Sequence, residues 1–357
     1  MSIFSSQHEI LISQCCKIAA QGLGGVSPNP LVGALLVAEG RIIGEGFHET
    51  YGGSHAEVQA IDSVETPELL KKATLYVNLE PCAHHGKTPP CTTLIKEMGI
   101  PRVVFGTQDP NPLVSGRGTE ALMKAGIEVV SGILPSQCWH LNRRFFTNIK
   151  ELRPYVILKW AETRDGFIAR PDYSSRWISS EQSRIRVHQW RSEEDAILVG
   201  TTTALKDNPQ LSVRSIVGRN PIRILVDRDS TVPKKHHIFD GSEKTIIISH
   251  KKPSAKNLDW IPYPHIGSHA DFWAAILPKL YEAKIGSLII EGGNKILTSV
   301  IQAGLWDEAR IFRSSQEFKE GIPAPILNVS DIDSRNLVSQ SSGSDQLDIL
   351  EPLSPEQ

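Results

Sequence analysis

The chain has few cysteines: five in 357 residues (Cys15, Cys16, Cys82, Cys91 and Cys138), too few and odd in number for a disulfide scaffold. Long apolar runs are missing too. One of the longest, residues 31–38, is broken by Gly33 and falls far short of the ~18–20 residues that a spanning helix requires. The N-terminal Met-Ser-Ile-Phe-Ser-Ser-Gln-His-Glu has neither the basic region nor the apolar core of a secretory leader. A reducing cytoplasm is therefore expected, where cysteines that matter bind metal or react. Nor is there an excess of charge of one sign. Lys plus Arg is 38 and Asp plus Glu is 40, a net charge of −2, which argues against a large phosphate-neutralising surface for nucleic acid. A small phosphorylated ligand needs only a few cations and stays open.

What is present is an ordinary soluble composition, 40% hydrophobic and 22% charged, in a chain long enough for two domains. Apolar runs alternate with amphipathic segments in both halves, the pattern of α/β layers. Strands are expected over 31–38, 41–47, 74–78, 102–106 and 127–131, with a hairpin turn at Glu39-Gly40. Helices are expected over 56–64, 92–98, 118–125 and 136–150, the last ending near Arg153-Pro154. That gives a first domain over 1–150 and a second over 151–329. The second has strands at 155–160, 196–199, 222–226, 245–248 and 287–290, and helices at 181–191, 270–281 and 296–303. Residues 330–357, rich in Ser, Asp and Gln, read as a polar, disordered tail.

The strongest chemical signal is His55-Ala56-Glu57 followed by Pro81-Cys82 and Cys91. One imidazole and two thiolates leave the fourth tetrahedral position of a zinc ion open to water, which loses a proton near neutral pH. Glu57, two residues beyond His55 at the start of a helix, can carry protons without ligating the metal. Two buried structural cysteines and a surface histidine are the bland alternative. The eight residues between Cys82 and Cys91 depart from the two-residue spacing of nucleobase deaminases. They include Gly86 and Lys87, suited to an anionic ligand. Cys15, Cys16 and Cys138 read as packing residues.

Ser27-Pro28-Asn29-Pro30-x-Val32-Gly33, His55-Ala56-Glu57, the run from Leu79 to Cys91 and Gln108-Asp109-Pro110-Asn111-Pro112 resemble the bacterial bifunctional riboflavin-biosynthesis deaminase/reductases. That resemblance implies a cytidine-deaminase-like three-layer domain, with Asn29 bonding the pyrimidine and Lys87 helping to hold the ribose phosphate. It also implies a homo-oligomer.

The second half has no G-x-G-x-x-G fingerprint. Gly200-Thr201-Thr202-Thr203 and Glu291-Gly292-Gly293-Asn294 each follow a predicted strand, where a phosphate cradle or a simple turn would fit. Lys159-x-Ala161, Asp165-Gly166, Trp177-Ile178, Arg191, the stretch from Gly200 to Arg214 and Glu291-Gly292-Gly293 resemble the reductase domain of the same family. The resemblance implies a dihydrofolate-reductase-like domain using NADPH for hydride transfer to the sugar C1′. Ala161, Trp177, Thr203, Asp207, Gly293, Asn294, Lys295, Ile296, Leu297, Thr298 and Ser299 would line the cofactor. Arg228 stands where the family often has a small residue, placed either to meet the cofactor's 2′-phosphate or to face water. Ser175, Arg191, Leu211, Arg214 and Glu291 would meet the substrate, Arg191 and Arg214 through bidentate guanidinium bonds to phosphate. Lys159, Asp207 and Glu291 are the candidates for handling the proton. Arg313-Ser314-Ser315-Gln316-Glu317 stands where the family continues in an apolar strand, so shortened or altered last strands are expected. Three alternatives remain open at this point: an altered or inactive reductase half, a nucleic-acid base deaminase with a binding module, and a zinc scaffold closed by a fourth protein ligand.

Overall fold

The computed structural model describes residues 3–83, 89–112, 114–173, 178–255, 257–265 and 267–354. The chain forms two compact units, residues 1–152 with 354–357, and residues 153–353.

The first unit is built on β1 (Gly33–Ala38), β2 (Arg41–Phe47), β3 (Thr74–Leu79), β4 (Arg102–Thr107) and β5 (Glu128–Val130). They lie in the order β2-β1-β3-β4-β5; β1 runs antiparallel to β2 and β3, and the β3-β4-β5 pairs are parallel. Successive strand residues face opposite layers. Leu36, Leu75, Val77, Val103 and Phe105 pack with α2 (Ala56–Asp62) and α3 (Cys91–Glu97). Leu35, Tyr76 and Val104 pack with α1 (Ile3–Ala19) and Cys138. Glu39 and Gly40 both carry positive φ, as a tight hairpin turn demands. Gly46 lets α2 lie directly on β2, because a Cβ there would come within 2.5 Å of the Ala60 nitrogen. After α4 (Arg117–Lys124), the expected single helix over 136–150 is two, α5 (Pro135–Leu141) and α6 (Arg143–Glu151). Asn142 marks the break. Its buried carboxamide accepts from Leu31 N at 2.7 Å and donates to Leu31 O at 2.9 Å, an alternative to continuing the helix.

The second unit holds a nine-stranded sheet ordered β11-β10-β9-β8-β12-β6-β13-β16-β15. Its strands and helices run in sequence as follows: β6 (Tyr155–Glu162), β7 (Phe167–Ala169), α7 (Glu181–Glu193), β8 (Ala196–Gly200), α8 (Thr201–Asp207), β9 (Ile222–Val226), β10 (Thr245–Ser249) and β11 (Leu258–Pro262). Then come α9 (His269–Glu282), β12 (Ser287–Ile290), α10 (Asn294–Ala303), β13 (Glu308–Arg313), β14 (Ile322–Pro323), α11 (Val329–Asp333), β15 (Arg335–Ser342) and β16 (Asp345–Pro352). β7 and β14 form a separate two-stranded pair. The seven strands from β11 to β13 are parallel, and the central ones are buried on both faces, as parallel sheets require. One face packs on α9 and α10 through Phe272, Trp273, Ile276, Leu297 and Val300; the other packs on α7 through Val187 and Trp190.

The disordered tail expected over 330–357 is corrected: β15 and β16 form an antiparallel hairpin, and β16 continues the sheet against β13. Leu347 and Leu350 are buried, and the Asp345 carboxylate accepts from Ser180 N and Ser183 Oγ at the start of α7. The polar composition that suggested disorder belongs to an exposed edge strand; β15 is exposed over most of its length. Shortened last strands are corrected as well. β13 pairs with β6 over six residues, and Arg313 at its end bonds Glu162 and Asp348.

Leu347→Ala should cost about 2–5 kcal/mol in urea unfolding because its side chain is fully buried, whereas Leu337→Ala on the exposed edge should stay within about 0.5 kcal/mol. A disordered segment would leave both variants neutral.

Candidate active sites

In the first unit, His55 caps the start of α2, Cys82 follows β3 and Cys91 opens α3. These three elements bring His55 Nδ1 within 3.2 Å of Cys91 Sγ and 3.6 Å of Cys82 Sγ, and all three donor atoms lie within 4.8 Å of one another. The donor set fits zinc: one borderline nitrogen, two soft sulfurs, and no fourth His, Cys, Asp or Glu donor in the group among the described residues. Cys82 is held by the Cys91 backbone N–H at 3.4 Å. Hydrogen bonding with Cys91 and His55 brings the Cys82 thiol down to about 4, so thiolate is available for a metal. Glu57 sits in the first turn of α2, 4% exposed, and burial pushes its carboxyl above the ordinary carboxylate range. His55, Glu57 and Cys82 open on a cavity of about 310 Å³, lined also by Asn29, His48, Asp109, Asn111 and Phe145.

In the second unit, a cavity of about 930 Å³ lies over the carboxyl ends of β6, β8, β9 and β12, the position where open α/β sheets bind ligands. Glu291, just past β12, is gripped by Arg191 of α7 in a bidentate pair at 2.9 and 3.0 Å. Lys159 Nζ of β6 stands 3.7 Å from the same carboxylate. Burial alone would raise the Glu291 carboxyl, but the Arg191 and Lys159 charges hold it at about 2. Burial pushes the Lys159 ammonium below its usual range and the Asp207 carboxyl above its own. His188 lines the same wall and is pushed down to about 4 by burial and the neighbouring Arg191 and Arg214.

The two cavities gather most of the residues singled out from the sequence, but not all. Ala161, Thr203, Arg214, Gly293, Asn294, Lys295 and Ile296 line the larger one, where Thr203 Oγ1 accepts from Gly293 N at 2.9 Å. Arg228 stands at its rim, exposed and paired with Asp229. Leu297 and Ser299 do not face the cavity: Leu297 is fully buried in the core, and the Ser299 hydroxyl accepts from Trp273 Nε1. α10 turns those positions inward, since its cavity face is confined to its first turn. Thr298 donates its hydroxyl to Asn294. Leu211 is likewise a core residue beside Ile197 and Val199, so its side chain does not meet a ligand. Lys87, Ser175 and Trp177 lie outside the described residues. Sequence reasoning missed His48, His188 and Tyr173, which line the cavities as isolated residues with no motif around them.

Comparison with known proteins matches both units to known families. Residues 5–107 match the cytidine and deoxycytidylate deaminase zinc-binding region, and residues 154–315 match the RibD C-terminal domain. The chain is 42% identical to riboflavin biosynthesis protein RibD of Aquifex aeolicus over 320 residues, 89% of each chain. It is 35% identical to RibD of Escherichia coli, over 86% of this chain and 87% of that one. Among solved structures it is similar to a diaminohydroxyphosphoribosylaminopyrimidine deaminase/5-amino-6-(5-phosphoribosylamino)uracil reductase from Thermotoga maritima. The TM-score is 0.88 at 38% identity, covering 98% of this chain and 99% of that one. Identity sustained along both units, together with the zinc-binding deaminase match over the unit that gathers His55, Cys82 and Cys91, places the chain in the RibD family of riboflavin biosynthesis proteins.

Proposed function

We propose that this chain performs two successive reactions on one phosphorylated pyrimidine. The first unit hydrolytically deaminates 2,5-diamino-6-(5-phosphoribosylamino)pyrimidin-4(3H)-one, and the second reduces the ribosyl group to ribityl with NADPH. The observation that carries the reading is the convergence of His55, Cys82 and Cys91 beside the buried Glu57. A zinc ion bound there supplies Lewis acidity that makes water nucleophilic near neutral pH. Glu57, its carboxyl raised by burial, is suited to take the proton of the attacking water and return it to the departing amine. Asn29, lining the same cavity, orients the pyrimidine, and Lys87 is assigned the ribose phosphate.

In the second unit NADPH supplies a hydride, to C1′ of the sugar. As the C1′–O4′ bond opens, the ring oxygen needs a proton, and the buried Lys159 ammonium is suited to give it. Glu291, kept ionised by Arg191, orients Lys159 and accepts from sugar hydroxyls. Asp207, also raised by burial, is a second proton carrier on the same cavity wall. Arg214, lining the cavity, is assigned the substrate phosphate, and Arg228 at the rim the cofactor's 2′-phosphate. Arg191 lines the same cavity while it grips Glu291. Five free cysteines fit a reducing cytoplasm, and no helix among the described residues is long and apolar enough to cross a membrane. A homo-oligomer completes the proposal.

Glu57→Gln should lower ammonia release by about 10²–10⁴-fold while zinc stays near one ion per chain by metal analysis. Retained ammonia release would overturn the assignment. Cys82→Ser should lose metal and ammonia release together.

Lys159→Met should slow NADPH oxidation on the deaminated ribotide by about 10²-fold or more and leave ammonia release unchanged. NADPH oxidation at the parent rate would remove Lys159 from the reaction.

A further inference from the structure

His48 follows β2 directly, lies 3% exposed on the wall of the smaller cavity and stands edge-on to the His55 ring, with 5.8 Å between centroids. Two loops meet there. His48 N donates to Val32 O, Tyr51 N donates to Gly25 O, and a Cβ on Gly22 would come within 2.4 Å of His48 O. The glycine allows the loop bearing Asn29 to lie flush against the loop bearing His48.

The hydrogen bonds of this pair leave a single consistent assignment. His48 Nδ1 lies 2.9 Å from Ser54 O, and a carbonyl oxygen can only accept, so Nδ1 carries the hydrogen. That leaves Nε2 as the ring atom that faces the Asn29 carboxamide and accepts from it. Asn29 Nδ2 lies 3.0 Å from Nε2 and donates to it. With the amide nitrogen committed to His48, the carbonyl end of the carboxamide is turned away from the ring. Asn29 lines the cavity with His55, Glu57 and Cys82, and among the described residues its Oδ1 accepts no hydrogen bond. Reversing the carboxamide would set Oδ1 against the Nε2 lone pair, lose this bond and leave two acceptors facing each other.

We propose that His48 is a positioning residue that fixes the orientation of the Asn29 carboxamide, so that the cavity presents a carbonyl acceptor to a ring N–H or amino group of an aminopyrimidine. The relay runs from Ser54 O through the imidazole to Asn29. It selects ligands that offer a donor at that edge and disfavours those that offer a lone pair there. The identity of the ligand rests on the deaminase reading of this cavity; the orientation of the carboxamide does not.

Two measurements separate the two. Long-range ¹H–¹⁵N correlation spectra of the zinc-loaded full chain with labelled histidine should show His48 protonated at Nδ1 and bare at Nε2, assigned by the loss of its signals in His48→Gln. A protonated Nε2 overturns the relay whatever the enzyme does. In kinetics, His48→Phe should raise KM for the aminopyrimidine ribotide about tenfold, the worth of one buried hydrogen bond, with kcat changed by less than about threefold and zinc retained. His48→Gln, whose amide can donate to Ser54 O and accept from Asn29, should recover KM to within about threefold of the parent. An unchanged KM in His48→Phe, or a Gln variant no better than Phe, would overturn the proposal. If His48→Phe fails to fold, the spectrum of the unaltered chain and the Gln variant decide.

Discussion

Burying a carboxylate is unfavourable unless nearby groups compensate for its lost water, and both cavities are organised around that constraint. The two solutions differ. Around Glu291 the compensation is charge: Arg191 grips both oxygens and Lys159 stands nearby, so the group stays ionised and fixed in place. Around Glu57 the compensating side-chain charge among the described residues is the His55 imidazole, and burial shifts the carboxyl towards its protonated form. One carboxylate is thereby suited to hold and orient, the other to exchange a proton. The difference follows from neighbours contributed by separate elements, not from the residues themselves.

The surrounding fold keeps these neighbours in place with polar side chains used as internal braces. In the first unit Asn78, fully buried at the end of β3, accepts from Gly33 N and donates to Leu31 O, tying β3 to the segment that enters β1. Glu80, one strand end away from Cys82, accepts from Gly116 N, Thr119 N and Thr119 Oγ1. It anchors the beginning of α4 against the segment carrying Cys82, and its carboxylate sits where a helix N-terminus favours negative charge. In the second unit Arg153 and Asp307 form a buried bidentate pair, and Asp307 also accepts from Val156 N, fixing the start of β6 beside β13. Lys159 stands on that strand, so its placement near Glu291 depends on a brace at the other end of β6.

The elements read most directly from the sequence are those whose local pattern and tertiary role agree. Residues 41–47, 222–226 and 287–290 are strands in the structure with the expected bounds, because each is an apolar or alternating run closed by turn residues. The misreadings occur where a residue's role depends on a partner far along the chain. Asn142 interrupts a helix to serve Leu31, more than a hundred residues away. Ser339 and Asp348 look like tail composition until β16 is laid against β13, where Asp348 meets Arg313 and Ser339. Leu297 and Ser299 follow a cavity-lining turn in sequence, yet the helical period carries them into the core.

Residue type and spacing by themselves determined that His55, Cys82 and Cys91 could share a metal with Glu57 alongside, since few other chemistries use that donor set. Lys159, Arg191 and Glu291 were marked by the resemblance of the second half to a reductase domain, which did not say what they do to one another. Only the tertiary structure decided that Arg191 holds Glu291 rather than standing free, that His48 faces Asn29, and that the polar C-terminal segment closes a sheet. The physical reason is common to all three. Hydrogen bonds and ion pairs act over about 3 Å in space with no regard for separation along the chain, so they leave no periodic trace for a sequence to carry.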